Sequence, residues 1–259
     1  MSHTTAALVG AIAGFSIFIG LPVARMRGLS KAFQGFLNAV ATGVLLFLLW
    51  DILSHAVGPV QAALVGARLG SPELFIALAL IFALGLASGL LVLIYFNARL
   101  FSHQQGAPSP RWLSLAIASG LGLHNLSEGL AIGQSAATGA VAFASVLVVG
   151  FALHNVTEGF GIAAPMAGAD RPPSWAFLGL AGLIGGGPTL LGTLIGLFAT
   201  SVYLQVLFLA VAAGALLWVI NEMFHIGRRL NTPPALAWGL LTGFIVAFGT
   251  ELLLTYLSL

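Results

Sequence analysis

The sequence predicts an all-α polytopic membrane protein of eight transmembrane helices, with both termini outside the cytoplasm. Three observations carry this reading. Hydrophobic side chains make up 59% of the chain and charged ones only 6%, with a mean hydropathy of +1.06. Apolar runs of about twenty residues, the length an α-helix needs to cross roughly 30 Å of hydrocarbon, recur along the whole sequence. The few basic residues gather in alternate connections between those runs. No segment is long or hydrophilic enough for a second soluble domain, so residues 1–259 read as a single transmembrane domain.

The first run, about 4 to 24, has no basic leading segment and no cleavage site, so it reads as a retained span rather than a signal peptide. Seven more follow at about 31–55, 72–98, 112–135, 138–166, 174–200, 202–226 and 234–257. Turn-forming residues separate them: Pro22 with Arg25 to Lys31, Gly70-Ser71-Pro72, Gly106 to Pro110, Asp170 to Pro173, and Asn231 to Pro234. Trp50, Trp112, Trp175 and Tyr256 fall near span ends, as interfacial anchors do.

Orientation follows from the basic residues, which stay preferentially in the cytoplasm. Arg25, Arg27 and Lys31 lie between spans one and two, Arg99 and Arg111 between three and four, Arg171 between five and six, and Arg228 and Arg229 between seven and eight. Only Arg68 falls on the other side.

Composition also excludes whole classes of function. Nine basic against seven acidic residues give a net charge of +2, with no basic patch of the kind that nucleic acid requires. With no cysteine there is neither a disulfide framework nor a thiolate metal site, so a bound metal must rest on imidazole, carboxylate and amide groups. No phosphate-binding loop is present, which argues against ATP-driven pumping.

One polar motif interrupts the apolar sequence twice. His124-Asn125-Leu126-Ser127-Glu128-Gly129 in span four returns thirty residues later as His154-Asn155-Val156-Thr157-Glu158-Gly159 in span five. Ionisable side chains at membrane depth are costly unless they face a cavity, a partner or an ion. His124 lies about 20 Å along its helix from the cytoplasmic end, and the antiparallel span brings His154 and Glu158 to the same depth. His and Glu at i and i+4 share a helix face, with Asn125 and Asn155 on its flank. Two imidazoles and two carboxylates suit a divalent transition metal, and the carboxylates neutralise its charge. Gly120, Gly122, Gly129, Gly133, Gly159 and Gly161 would let the helices approach closely, and Ser127 and Thr157 are placed to bond a carboxylate or a backbone carbonyl. The plainer alternative is an interhelical hydrogen-bonded cluster with no ion.

These features resemble the ZIP (Zrt/Irt-like) family of divalent-metal transporters, over the whole length of the chain. The resemblance implies that His124, Asn125, Glu128, His154, Asn155 and Glu158 bind metal. It further implies that spans one to three and six to eight are inverted repeats around spans four and five, that metal moves into the cytoplasm, and that the protein is a homodimer in a bilayer. No cofactor is expected; the divalent metal is the transported substrate, zinc foremost, with iron, manganese, cadmium and cobalt compatible with the same nitrogen and oxygen donors. Two departures stand out. Asn155 occupies a position that is often acidic in the family. Gly185-Gly186-Gly187-Pro188 in span six lacks the Glu that often precedes this Pro, which favours one ion over two. The glycine run and Pro188 are expected either to unwind span six beside the site or to kink it.

Two further acid-histidine pairs mark candidate entrance and exit stations. Asp51 and His55 share a face near the outer end of span two, with Glu251 and Glu73 as companions outside; Glu222 and His225 lie near the inner end of span seven. Each pair has the alternative of being merely interfacial. His3 and His103 read as surface residues. An inner (plasma) membrane transporter is therefore the main expectation, not an enzyme. The rival reading is an intramembrane metalloenzyme, in which an open metal position activates water; the absence of a His-Glu-x-x-His signature counts against it.

Overall fold

The computed structural model describes residues 2–68, 70–101, 109–139, 141–169 and 171–258. His103 and Asp170 lie outside the described residues. The described chain is helical throughout, with no strand among the described residues. Span one, here α1 (His3–Arg25), is built from two helical stretches, His3–Phe15 and Ile17–Gly20, and a tighter final turn, Leu21–Arg25, where Pro22 enters. The others are α2 (Lys31–Arg68), α3 (Glu73–Phe101), α4 (Pro110–Ala137), α5 (Val141–Ala163), α6 (Trp175–Gly196), α7 (Val202–Leu230) and α8 (Pro233–Ser258).

Local chemistry fixes several ends. The Ser109 hydroxyl accepts from the Trp112 N–H at 3.3 Å, and Pro110 fills the first helical position of α4, where no N–H is needed. Ser174 caps α6 through the Phe177 N–H. Asn231 ends α7 at φ 52°, a left-handed conformation that asparagine tolerates.

Among the described residues, seven helices are long and apolar enough to cross a membrane, and the exception by composition is α4. This is a multi-pass membrane protein in which the most polar long helix is the one its neighbours enclose. α4 packs against α6 and α7, and less extensively against α5 and α1, while α2 pairs with α8 and α3 with α7. Helices that face lipid must be apolar; α4 is relieved of that demand because protein covers it.

Two expectations are corrected. Span two does not stop near residue 55: α2 continues to Arg68, straight through Pro59. Asp51 and His55 therefore sit well inside the helix, with His55 about 20 Å from its end. Pro59 removes only the N–H that would bond the His55 carbonyl, and the apolar stretch beyond it keeps the helix going. Span six is not unwound at the glycine run, because α6 is continuously helical with Pro188 inside it.

A large apolar core lies towards the arginine-bearing end of the bundle, where Ile117, Leu121, Ile162, Leu216, Val219 and Met223 are almost wholly buried. The opposite end is hollow. There, a cavity of about 460 Å³ opens between α2, α4, α5, α7 and α8.

Candidate metal centre

The short turn between α4 and α5, with Gly139 at φ 81°, makes the two helices antiparallel neighbours. His124 stands thirteen residues before Ala137, and His154 thirteen after Val141, so both lie at one depth, about 20 Å from the turn. The glycine that closes each motif explains how the flanking helices come so near. A side chain at Gly129 would strike the Thr189 carbonyl oxygen of α6, and one at Gly159 the Ile17 carbonyl oxygen of α1. Only a hydrogen fits there.

Glu128 is the hub. Its Oε1 lies 2.5 Å from His154 Nε2 and 3.0 Å from His124 Nε2, so one carboxylate oxygen faces imidazoles from two helices. Glu158 Oε1 is 3.5 Å from the same His124 nitrogen. Ligand atoms of His124, Glu128 and His154 all fall within 4.8 Å of one another, a spacing that one metal ion can span. His124 and Glu158 are fully buried, and the His154 side chain is only 13% exposed.

The hydrogen bonding is unbalanced in an informative way. His124 Nδ1, Glu128 Oε2, Glu158 Oε1 and the side-chain oxygens of Asn125 and Asn155 are buried without a hydrogen-bond partner, and His124 Nε2 faces only carboxylate oxygens. Buried polar atoms are nearly always paired, and leaving one unpaired costs about 1–3 kcal/mol. Oxygens left open in this way around two imidazoles, each of which can offer one nitrogen, are what the donor set of a cation requires. Nitrogen and carboxylate oxygen suit a divalent transition metal.

The asparagines are employed differently. The Asn125 amide donates to Glu158 Oε2 at 2.9 Å and to the Gly185 carbonyl at 3.0 Å, so it fixes a carboxylate of the cluster to the backbone of α6. The Asn155 amide donates to the Ala13 carbonyl of α1 at 2.8 Å. Ser127 and Thr157 bond backbone carbonyls within their own helices, those of His124 and His154, and not the carboxylates.

The cavity reaches the cluster from one end. Its wall includes His124 and Glu128 at the bottom, with Asp51, His55 and Glu251 above them. His55 Nδ1 stands 3.4 Å from Asp51 Oδ1. Glu73 is exposed at the start of α3 and does not line the cavity. Glu222 is half-buried and His225 exposed on the last turns of α7, beyond the apolar core, so the structure does not bring them to the cluster.

Gln134, Ser135, Gln205 and Thr255 also line the cavity and were missed by the sequence reading. One signal was available for Ser135: with Ala131 it follows Glu128, at i+7 and i+3, continuing the motif face outward.

The family model of the ZIP zinc transporters matches residues 102–251, more than half of the chain. The chain belongs to the ZIP zinc transporter family. Comparison with curated protein sequences returns no match. In this ZIP transporter the matched region holds both copies of the motif, together with Glu222, His225 and Glu251, whereas Asp51 and His55 precede it. Members of the family are transporters of divalent metal and not enzymes, so the metal is substrate rather than cofactor.

Proposed function

We propose that this ZIP transporter carries one divalent transition-metal ion at a time, zinc foremost, through a site made by His124, Glu128, His154 and Glu158. The observation that carries the reading is the shared Glu128 oxygen, within 3.0 Å of imidazoles from both motif helices, at the bottom of a cavity. Two carboxylates offset the charge of a divalent ion, and two imidazoles favour zinc, iron, cobalt, cadmium or manganese over calcium or magnesium. A single ion is favoured because Asn155 is uncharged where the family is often acidic and Gly187 offers no donor side chain.

Alternating access is the proposed mechanism. Asp51, His55 and Glu251 gather the ion in the open cavity, and the buried core keeps the opposite side shut in this state. After the conformational change the ion leaves past Glu222 and His225. The basic loops support a cytoplasmic position for that second end, and family resemblance supports the inward direction. The packing of α2 with α8 and of α3 with α7 is the exchange that inverted repeats would give, which supports that arrangement. A homodimer in the inner membrane completes the reading.

The test is metal uptake into sealed proteoliposomes holding an ion-sensitive dye, with zinc, cadmium, manganese and iron(II) supplied in turn. Uptake by the unmodified protein, lost in a folded variant carrying Glu128→Ala and Glu158→Ala, supports the reading and ranks the substrates. Stoichiometric binding in detergent without flux of any ion would overturn it and favour an intramembrane metalloenzyme.

A further inference from the structure

We propose that Val219 and Met223 of α7 form the seal that separates the metal cluster from the Glu222–His225 end, and that this is where the pathway opens on that side. The proposal rests on the transport reading above. Val219 and Met223 are i and i+4, one face of one helix, and both are fully buried. That face meets the two motif helices at glycines. A side chain at Gly120, one turn before His124, would run into Val219 Cγ2; one at Gly161, about one turn after Glu158, would lie 3.4 Å from Met223 Cε and 3.7 Å from its sulfur. Both contacts therefore lie one turn from the cluster, on the side away from the cavity.

The seal is anchored from behind. Asn38 of α2, 2% exposed, donates its amide to the Met223 carbonyl at 3.0 Å, while its own Oδ1 has no hydrogen-bond partner. Ala41, one turn along α2, is the next neighbour of the Gly161 position. α7 is thus pinned to α2 by a polar contact, whereas it meets α4 and α5 at this level through apolar packing, with Val219 over Gly120 and Met223 over Gly161. Apolar packing over a glycine has no hydrogen bond to break and little side chain to clear, so this is the contact that parts when the motif helices shift against α7. Methionine suits the position, since an unbranched thioether repacks easily. Glu222 adjoins Met223 in sequence and is half-buried, ready to meet an ion that passes.

The absence of any native cysteine makes the test direct. Met223→Cys and Val219→Cys are placed separately in oriented proteoliposomes and exposed to a membrane-impermeant thiol reagent from each side, with Ala131→Cys as the control in the cavity wall. Without metal, the expected result is labelling of Ala131→Cys from the cavity side and none of the seal variants from either side. During zinc turnover, seal labelling from the Glu222–His225 side should rise about tenfold or more, as an otherwise minor open state becomes populated. Labelling of either seal variant from the cavity side, or no labelling at all in variants that still transport zinc, would overturn the seal. If Met223→Cys does not fold, Val219→Cys carries the same test. Loss of zinc flux in the unmodified protein would instead count against the transport reading.

Discussion

Asn125 and Asn155 tie the two motif helices to different neighbours, one to α6 and the other to α1. Asn125 donates to the Gly185 carbonyl of α6, and Asn155 to the Ala13 carbonyl of α1. The same residue in the same motif thus makes the same kind of bond, side-chain amide to main-chain carbonyl, in two different directions. The difference lies in Glu158, which only Asn125 touches.

That difference separates the effects of removing each amide. Asn125→Ala frees a carboxylate of the cluster, and a lost orienting partner of a metal ligand typically weakens binding about 10–100-fold. Asn155→Ala loses an interhelical bond worth about 0.6–2 kcal/mol in a membrane, with the cluster untouched. Zinc titration and thermal melting of both variants in detergent check this: Asn125→Ala should lose affinity, and Asn155→Ala should melt earlier at nearly unchanged affinity.

Close packing makes the motif glycines intolerant. Gly129→Ala and Gly159→Ala drive a methyl group into the carbonyls of Thr189 and Ile17, and forced repacking of this kind costs about 1–3 kcal/mol. Gly187→Ala, with nothing within 4 Å of the added carbon, should melt like the unmodified protein. Thermal denaturation of the three variants reads the contrast directly.

The acidic groups of the cavity wall act at a distance from the cluster. Neutralising them as Asp51→Asn with Glu251→Gln should raise the KM for uptake about tenfold at low salt, since charged clefts concentrate oppositely charged substrate. Vmax should stay close to that of the unmodified protein, and the gap between the two proteins should narrow as salt is added. Initial rates at two ionic strengths provide the check.

Much of the site was legible in the sequence, because helical periodicity alone puts His and Glu at i and i+4 on one face, and a short turn sets two antiparallel helices level. The depth of the motif, and the pairing of His124 and Glu128 with His154 and Glu158, followed from that. Span two reads as ending near residue 55, a length that already crosses a bilayer, whereas α2 runs on to Arg68 because Pro59 forfeits one hydrogen bond without ending an apolar helix. Of the two expectations for the glycine run of α6, unwinding fails, since packing against α4 keeps it helical where intrinsic propensity would not. The carbonyl partners of Asn125 and Asn155 were out of reach, because they lie 60 and 142 residues away and depend on how the helices assemble. Gln134 and Gln205 were overlooked because an uncharged amide in an apolar helix gives no sign of the cavity it faces.

The central claim is that a single ion rests on the Glu128 hub. Equilibrium dialysis of the purified protein against zinc, beside the near-isosteric Glu128→Gln variant, tests it most directly. One zinc per chain in the unmodified protein and none in the variant is the expected result. Two zinc ions per chain, or equal binding by both proteins, would contradict it.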